Sequence, residues 1–299
     1  MISNFSATSR RVAAGILLVA VAAGPGLVNA QGVLSALPRE ISEFERVARD
    51  NEVLSQFGSS GEKSLIPDHL RVLVWNVHKA VDQRFSHDLA RLASRSDLMI
   101  LQEAVLNPRD RDFLGISSEH EWHMASSFFF DGGIGTGVAT GARAAPFSVG
   151  FVRSPMGELF VWTPKMTLIS SYKLRGMIRR LLVVNVHAIN FVDRISFFAS
   201  MTKIERAIKD HDGPVILAGD FNTWSPSRLA FLGLMAFRNR LKSVSFKRDS
   251  RFLRLDHVLV RELGVEDAEL MDEIESSDHK PISLVLSVKR RLTDPIPAH

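Results

Sequence analysis

Short apolar runs separated by polar segments make up most of the chain. Near-continuous hydrophobic runs, rich in β-branched residues, occupy positions 70–77, 98–101, 181–186, 215–218, 253–260 and 282–288. Runs of this length without polar alternation are typical of strands that are buried on both faces. The pattern therefore predicts a sheet or sheets enclosed within the molecule.

Helical periodicity occupies several of the intervals between these runs. Helices are predicted at 86–94, at 195–208 and at 226–237, the last with Ser225 as its cap. A further amphipathic helix is predicted at 40–56, ahead of the first strand. Strands that alternate with helices indicate an α/β domain.

The segment 128–133 predicts a strand that enters a tight turn. It reads as three phenylalanines followed by Asp131, Gly132 and Gly133. Packing in the core or at a sheet edge is the favoured role for the aromatic side chains, and a ligand platform is the alternative.

The composition fits one large domain. The chain has 299 residues, of which 45% are hydrophobic, and we find no linker, internal repeat or low-complexity segment. The sequence contains no cysteine, which excludes disulfides, thiolate metal ligands and a cysteine nucleophile.

The first thirty residues predict a signal peptide. Arg10 and Arg11 precede an apolar stretch at 12–23, and small residues lead up to Ala30. The stretch is shorter than the roughly 20 residues of a membrane-spanning helix, so we expect cleavage before Gln31 rather than an uncleaved anchor. The mature chain is then expected to be periplasmic or secreted and to lack a transmembrane span, with the export route left open.

The net charge is too small to identify a partner. Loss of residues 1–30 would remove two of the 37 basic residues and none of the 33 acidic ones, leaving a net charge of about +2. Basic residues nevertheless cluster locally, with seven Lys or Arg between 238 and 254 against Asp249 alone. Such a cluster is usually a solvated surface, and contact with nucleic acid is the functional alternative.

Polar residues gather at the ends of the apolar runs, where α/β sheets usually bind their ligands. These residues are Asn76, Glu103, His187, Asn190, Asp220, Asn222, Asp256, Asp278 and His279. A carboxylate at the mouth of a buried strand is costly unless a cation or hydrogen bonds compensate its charge. Oxygen ligands without cysteine favour Mg²⁺ or Mn²⁺, although the two histidines leave zinc open. The set suits attack by water on a phosphate.

Four short motifs occur in a characteristic order along the chain. They are Trp75-Asn76, Gln102-Glu103, the stretch 219–222 and the stretch 277–279. Together they resemble the signature of the endonuclease/exonuclease/phosphatase superfamily, which includes DNase I, apurinic endonucleases, bacterial sphingomyelinases and inositol polyphosphate 5-phosphatases. Within it, the stretches 73–76, 184–191 and 213–224 resemble a bacterial branch whose substrate is unassigned.

This resemblance implies a fold and a domain layout. The fold would be α/β, a four-layer sandwich of two packed mixed β-sheets flanked by helices, as in DNase I. The chain would then divide into a signal peptide (1–30), an N-terminal helical extension (31–69), the catalytic domain (70–290) and a C-terminal tail (291–299).

The resemblance also assigns a role to each matching residue. Asn76, Glu103 and Asp278 would hold the metal, Mg²⁺ or Mn²⁺. Asp220 would deprotonate the attacking water, and Asn222 would hold a phosphate oxygen. His279, oriented by Asp256, would stabilise the transition state, and His187 would assist at the phosphate or the leaving oxygen. Asn190 resembles a phosphate-contacting Asn of the apurinic endonucleases. Two further substrate-binding candidates are Arg143, which would face phosphate or be a plain surface residue, and Trp224, which would stack on a base or sugar or pack over the floor of the site. His257 is expected to point away from Asp256 and to be structural.

The implied function is an exported, divalent-metal-dependent phosphodiesterase with nucleic acid as its favoured substrate. One alternative is a lipid or small-molecule phosphodiesterase of the sphingomyelinase type. A second is a non-catalytic binding module on the same fold, which is disfavoured because each principal catalytic position carries a competent residue. No stable protein partner is implied.

Overall fold

The computed structural model describes residues 44–106, 119–155, 157, 163–190, 194–291 and 294. The predicted signal peptide lies outside the described residues, as does most of the predicted C-terminal tail. Both therefore stay predictions.

Strands dominate the described part of the chain. They are β1 (Phe44–Val47), β2 (Leu54–Phe57), β3 (Leu70–Asn76), β4 (Leu98–Leu106), β5 (Glu121–Phe130), β6 (Ile134–Ala142), β7 (Ser148–Arg153), β8 (Met166–Lys173), β9 (Arg180–His187), β10 (Val215–Asp220), β11 (Lys242–Ser243), β12 (Asp256–Arg261), β13 (Leu263–Leu270) and β14 (Ile282–Val288). The helices are α1 (Phe85–Ala93), α2 (Arg194–Lys209) and α3 (Pro226–Arg238), with short 3₁₀ turns at Asp50–Glu52 and His78–Ala80.

Over the described residues the strands form two mixed sheets. The first has eight strands in the order β1-β5-β6-β4-β3-β14-β13, with β2 also paired to β5. The second has six strands in the order β11-β12-β10-β9-β8-β7. The pairs β3–β4 and β9–β10 are parallel and the others are antiparallel. The prediction of an α/β fold with two mixed sheets is confirmed.

The central strands bury both of their faces, which explains their continuous apolar sequences. In β3, Val72 and Val74 point between the sheets, and the alternate residues Leu73 and Trp75 pack against α1. The strand β10 alternates in the same way between the intersheet core and α2. The layers are therefore helix, sheet, sheet and helix.

A polar bridge crosses the largely apolar space between the sheets. Gln102 in β4 donates through Nε2 to Oδ1 of Asn185 in β9 at 2.8 Å. Asn185 in turn donates through Nδ2 to the carbonyl oxygens of Leu101 (3.1 Å) and Ala139 (2.9 Å). Because the buried Asn185 amide gains these partners only when β4, β6 and β9 are in this alignment, the bridge favours one register between the two sheets.

The three helices lie close to their predicted positions. At α3, Ser225 accepts a hydrogen bond from the backbone nitrogen of Arg228, and Pro226 occupies the first turn. The helix α1 begins at Phe85, one residue before its predicted start, with Arg84 at the N-cap position. No helix in the described ranges is long and apolar enough to cross a bilayer.

The helix predicted at 40–56 is wrong over its described part. Residues 44–57 instead contain β1 and β2, and both strands pair antiparallel with β5. The edge of β5 offers backbone partners along its length, and Phe44 packs on Phe128 with ring centroids 5.7 Å apart. These tertiary contacts override the local helical period. Within the predicted helical extension, the strands β1 and β2 therefore belong to the first sheet.

Two smaller predictions have different outcomes. The run 253–260 becomes a strand only from Asp256, and the residues before it form an exposed loop. The hairpin at 128–133 is confirmed, with Gly132 and Gly133 in the left-handed region of its turn. Its aromatics pack as expected, since Phe130 is buried and contacts Phe128 edge to face.

Candidate active site

The site lies at the mouth between the two sheets, at the downstream ends of the parallel strands. Asn76, His187 and Asp220 end β3, β9 and β10, and each continues the set of positions that faces the intersheet core. Nδ2 of Asn76 donates to Oδ2 of Asp220 at 3.1 Å, which links the first sheet to the second. Residues that are 144 positions apart thus meet in one place.

A β-bulge brings Glu103 into this mouth. Gln102 already faces the second sheet, so a regular strand would send Glu103 to the opposite face. The pairing of β4 with β6 instead shifts between Gln102 and Ala104, and Glu103 has a left-handed φ of 53°. The bulge re-aims the carboxylate, whose Oε1 lies 3.9 Å from Nε2 of His187.

The loop after β10 is shaped by Gly219 and Asn222. Gly219 has a φ of 135°, and a Cβ there would lie 2.1 Å from the carbonyl oxygen of Val186. Only glycine fits, which explains the first residue of the 219–222 motif. Asn222, with a φ of 50°, donates its backbone N–H to Oδ1 of Asp220 at 2.9 Å and its Nδ2 to Ala188 at 2.9 Å.

His279 and Asp256 form a carboxylate–histidine pair. Nδ1 of His279 lies 2.8 Å from Oδ2 of Asp256, and Nε1 of Trp75 donates to the His279 carbonyl oxygen at 3.0 Å. Asp256 is the register partner of Asp220 across β10 and β12. The carboxylate at Nδ1 orients the ring, so Nε2 is the nitrogen available to a substrate.

The two histidines of the site are held in opposite charge states. Burial lowers the pKa of His279, but the carboxylates of Asp256, Asp220 and Asp278 outweigh it and raise the pKa well above its usual value. Burial and the ammonium group of Lys165 place the pKa of His187 well below that value. His279 is thus an imidazolium at neutral pH, and His187 is a neutral imidazole.

The carboxyl groups of Asp220 and Glu103 also have pKa values shifted in opposite directions. Burial raises the pKa of Asp220 to about 7, with the His279 cation acting against it. For Glu103 burial also acts upward, but the ammonium groups of Lys79 and Lys165 hold the pKa well below its usual value. Glu103 therefore stays ionised, while Asp220 exchanges its proton near neutral pH.

The donor set fits a hard divalent cation. Ligand atoms of Asp220, Asp256 and His279 lie within 4.8 Å of one another. Oδ1 of Asp256 is buried without a hydrogen-bond partner, which is costly unless a ligand satisfies it. Glu103 and Asn76 add a carboxylate and an amide across the same mouth. Carboxylates and an amide without thiolate are ligands for Mg²⁺ or Mn²⁺, and the cationic His279 lies beside them as a hydrogen-bond donor.

The geometry groups the residues differently from the predicted metal set of Asn76, Glu103 and Asp278. Asp278 lies at the rim, with its side chain 49% exposed and Oδ1 3.6 Å from Nδ1 of His78. Asp220 and Asp256, to which the resemblance gives other roles, are the carboxylates that cluster with His279.

The structure does not bring Arg143 to the site, which corrects its predicted contact with substrate. It follows β6, whose last residue pairs with Leu98 at the upstream end of β4. Its guanidinium donates to the carbonyl oxygens of Ser96 (3.0 Å) and Ser94 (2.9 Å) and pairs with Glu119 at 2.7 Å. Because β4 and β6 are antiparallel, Arg143 lies at the end of the sheet opposite Glu103.

The other two predicted substrate residues meet at the rim. Nε1 of Trp224 donates to Oδ1 of Asn190 at 2.9 Å, and the Trp224 side chain is 48% exposed. Trp224 is two residues past Asn222, so it borders the mouth. His257 lies on the other face of β12 against Thr223 and Phe221, in agreement with its expected structural role.

The sequence analysis assigned no role to two lysines that act on the site. Lys79 pairs with Glu103, and Lys165 acts electrostatically on Glu103, His187 and Asp220. Neither belongs to a motif used above. The available signal was that a buried glutamate requires a cation nearby, and Lys79 follows Asn76 by three residues.

Two packed mixed sheets flanked by helices, with carboxylates and histidines at one mouth, define a class of α/β sandwich proteins. Comparison with known proteins identifies the group within this class. The chain belongs to the Endonuclease/Exonuclease/phosphatase family, whose profile matches residues 73–279. This family includes nucleases, phosphatases and phosphodiesterases, which are mostly hydrolases of phosphoester bonds.

Its sequence relatives include bacterial UPF0294 proteins. The protein of Vibrio campbellii is 33% identical over 219 residues, which cover 71% of this chain and 76% of that protein. The protein of Photorhabdus laumondii is 33% identical over 220 residues, which cover 72% and 82%. The resemblance to an uncharacterised bacterial branch is confirmed.

Solved structures share the fold at low sequence identity. The human Nocturnin catalytic domain with bound sulfate has a TM-score of 0.56 at 16% identity, covering 76% of this chain and 96% of that one. An endonuclease/exonuclease/phosphatase of Beutenbergia cavernae has a TM-score of 0.55 at 17% identity, covering 74% and 72%. These similarities show the fold alone.

Proposed function

We propose that the chain is an exported, divalent-metal-dependent phosphodiesterase that hydrolyses nucleic-acid phosphodiesters with an activated water. The observation that carries the proposal is the meeting of Asp220, Asp256 and His279, whose ligand atoms lie within 4.8 Å of one another. An imidazolium, a carboxyl group that titrates near neutrality and an ionised glutamate together supply the charges that phosphate hydrolysis needs.

Asp220 is the general base of the proposed reaction. A base works best when its pKa is near the working pH, and burial raises the pKa of Asp220 to about 7. The backbone N–H of Asn222 holds Oδ1, and Nδ2 of Asn76 holds Oδ2. These two donors orient the carboxylate toward the mouth, where it would accept a proton from water.

His279 stabilises the negative charge that develops on the phosphate. Asp256 binds Nδ1 and keeps the ring cationic, so Nε2–H is the available donor. Neutral His187 lies beside Glu103 and Asp220, at 3.9 Å and 3.7 Å, where it would hydrogen-bond a phosphate oxygen or assist the leaving oxygen. Asn222 would contribute a further phosphate contact.

Glu103 and Asn76 would hold Mg²⁺ or Mn²⁺, with Asp278 supporting them from the rim. When bound, the cation would supply Lewis-acid polarisation of a phosphate oxygen. Glu103 suits this role because it is ionised at neutral pH and one of its oxygens points toward His187.

The rim favours nucleic acid as the substrate. The loop 247–254 carries the exposed Lys247 and Arg248, and its Phe252 is 94% exposed. The loop is tied beside the site, because Oγ1 of Thr223 donates to the Arg254 carbonyl oxygen at 2.8 Å. Basic side chains bind the phosphate backbone, and exposed aromatics such as Phe252 and Trp224 stack on bases. Zebrafish TDP2, a fold neighbour (TM-score 0.52, 18% identity, covering 73% of this chain and 99% of that one), was solved with a single-strand DNA product.

The packing of the aromatic hairpin at 128–130 argues against a lipid substrate. A lipid substrate would be favoured by an exposed aromatic hairpin that contacts the membrane. The hairpin aromatics at 128–130 are instead packed, with Phe128 against Phe44 and Phe130, and Arg46 over the ring of Phe129 at 4.5 Å. The exposed Phe252 keeps a lipid substrate as an outcome for the assay to decide.

A panel assay of the purified chain tests the proposal. Plasmid DNA, RNA, sphingomyelin and bis-p-nitrophenyl phosphate are each incubated with Mg²⁺, with Mn²⁺ and with EDTA. We expect metal-dependent cleavage of nucleic acid that falls steeply with added salt. Turnover of sphingomyelin alone would move the function to lipids, and no turnover of any substrate would contradict the hydrolase proposal.

Export is a separate part of the proposal, and it rests on the sequence of residues 1–30. N-terminal sequencing of the protein recovered from a bacterial periplasmic fraction should begin at Gln31. Recovery of the uncleaved chain in the cytoplasm would contradict it.

A further inference from the structure

Lys79 contacts the glutamate that the proposed function assigns to the metal. Its Nζ forms an ion pair with Oε2 of Glu103, and the two side chains are 28% and 19% exposed. The sequence assigned no role to Lys79. The structure places a cation of the chain itself on a proposed metal ligand.

The backbone around Lys79 is unusual. His78, Lys79 and Ala80 have φ values of 44°, 57° and 57°, so three consecutive residues other than glycine are left-handed. Such residues are disfavoured and persist only where surrounding contacts hold them. Oδ1 of Asn76 accepts from the His78 nitrogen at 3.1 Å, and the Val77 nitrogen donates to Gln102 at 2.9 Å. The turn is therefore anchored on the residues adjoining Glu103.

The two oxygens of Glu103 have different surroundings. Oε2 is taken by Lys79, while Oε1 faces the mouth and lies 3.9 Å from His187. A divalent cation on this carboxylate would lie within a few ångströms of the ammonium group. In a partly buried site two positive charges at that separation repel strongly. The ammonium group and the metal thus compete for one carboxylate.

We propose that Lys79 sets the metal affinity of the site. Its ammonium group neutralises Glu103 in the metal-free chain. A divalent metal that binds Glu103 must therefore overcome the repulsion of this ammonium group or displace it. The inference rests on the proposed function in taking Glu103 as a metal ligand. Its consequence is that the site loads at higher metal concentrations than the same carboxylate would need without Lys79.

Direct measurement of Mn²⁺ binding tests the proposal without an activity assay. The full chain and its Lys79→Met variant are titrated with Mn²⁺ and followed by electron paramagnetic resonance. We expect the dissociation constant of Lys79→Met to fall at least tenfold. Lys79→Arg, which keeps the charge, should stay near the wild-type value. Lys203→Met removes a charge from the exposed face of α2 and should leave the affinity unchanged.

Two further variants separate competition from damage to the fold. Lys79→Gln removes the charge and keeps a polar donor on a slightly shorter side chain, so it carries the test if Lys79→Met fails to fold by circular dichroism. In a Glu103→Gln background, Lys79→Met should produce no gain in affinity, because the proposed competition acts through that carboxylate.

The outcomes separate this inference from the proposed function. Unchanged or weaker Mn²⁺ binding in both folded Lys79 variants would overturn the role of Lys79, even if the wild-type chain hydrolyses phosphodiesters. A gain in affinity that persists in the Glu103→Gln background would also overturn it. An inactive wild-type chain whose Mn²⁺ affinity rises on loss of Lys79 would support the inference and contradict the proposed function.

Discussion

The two ends of the sandwich treat charge differently. At the upstream end, where β3 and β4 begin, Asp97 is bound by Arg71 at 2.6 Å and lies near Arg143. On the second sheet, Arg179 similarly pairs with Glu262 and, at 2.8 Å, with Asp294. At the downstream mouth the described ion partners of Asp220 and Asp256 are histidines, and Oδ1 of Asp256 has no hydrogen-bond partner.

This difference separates charges that stabilise the structure from charges kept available for chemistry. Arginine binds a carboxylate with two donors and holds it ionised, so Asp97 has a lowered pKa despite its burial. The carboxyl of Asp220 is buried without such a partner, and its pKa rises to about 7. A buried carboxylate without such a partner lowers the stability of the fold, and proteins tolerate this cost where function requires the group.

The largest expected effect is the loss of hydrolysis from changes at the mouth. His279→Ala and Glu103→Ala should each lower turnover of bis-p-nitrophenyl phosphate at least about 10³-fold, because each removes a charge that the reaction needs. Circular dichroism should show an intact fold. Retained activity in either folded variant would refute the assigned role.

Asp220→Asn should lose activity and gain stability. A carboxyl group whose folded pKa lies above its unfolded value of 3.8 loses stability as pH rises toward about 7, so the wild type carries this cost at pH 8. Removal of the charge should stabilise the chain by about 1–3 kcal/mol at that pH. Urea unfolding at pH 8 measures the change, and a less stable variant would show that Asp220 is compensated by other contacts.

Arg143→Ala should show the converse behaviour at the upstream end. The change removes two hydrogen bonds to backbone carbonyls and the pair with Glu119, so we expect about 1–2 kcal/mol of destabilisation. Hydrolysis by the folded variant should match the wild type. A raised KM for substrate would support the contact of Arg143 with phosphate that the sequence predicted. It would contradict the position of Arg143 at the end of the sheet opposite Glu103.

The smallest expected effect is a change in acid stability from Asp97→Asn. Because the folded pKa of Asp97 is lowered, its stabilisation is present above the unfolded value of 3.8 and is lost as pH falls through the folded value. The variant should therefore lose less thermal stability between pH 6 and pH 3 than the wild type, by about 2–5 °C. Equal losses of thermal stability in the variant and the wild type would show that other groups control stability at acid pH.

The sequence determined six of the strands, β3, β4, β9, β10, β12 and β14, together with the motifs at their ends. Continuous apolar runs marked central strands because those strands bury both faces, and that property depends on each segment alone. The same is true of the capped start of α3, whereas the need for glycine at 219 comes from the close approach of Val186 in β9. The polar residues at the strand ends were predicted to converge, and Asn76, Glu103, His187, Asp220, Asp256 and His279 do meet at one mouth.

Only the tertiary structure decided the partners of each segment. Residues 44–57 have a helical period but form strands, because the edge of β5 supplies backbone hydrogen bonds that a local pattern does not reveal. Arg143 lies at the wrong end of the sheet, since strand direction is set by pairing. Lys79 reaches Glu103 through a bulge and a left-handed turn. Contacts between segments that are distant along the chain form only when the sheets assemble. The pattern of apolar residues and the capping of a helix, by contrast, can be found within a single segment.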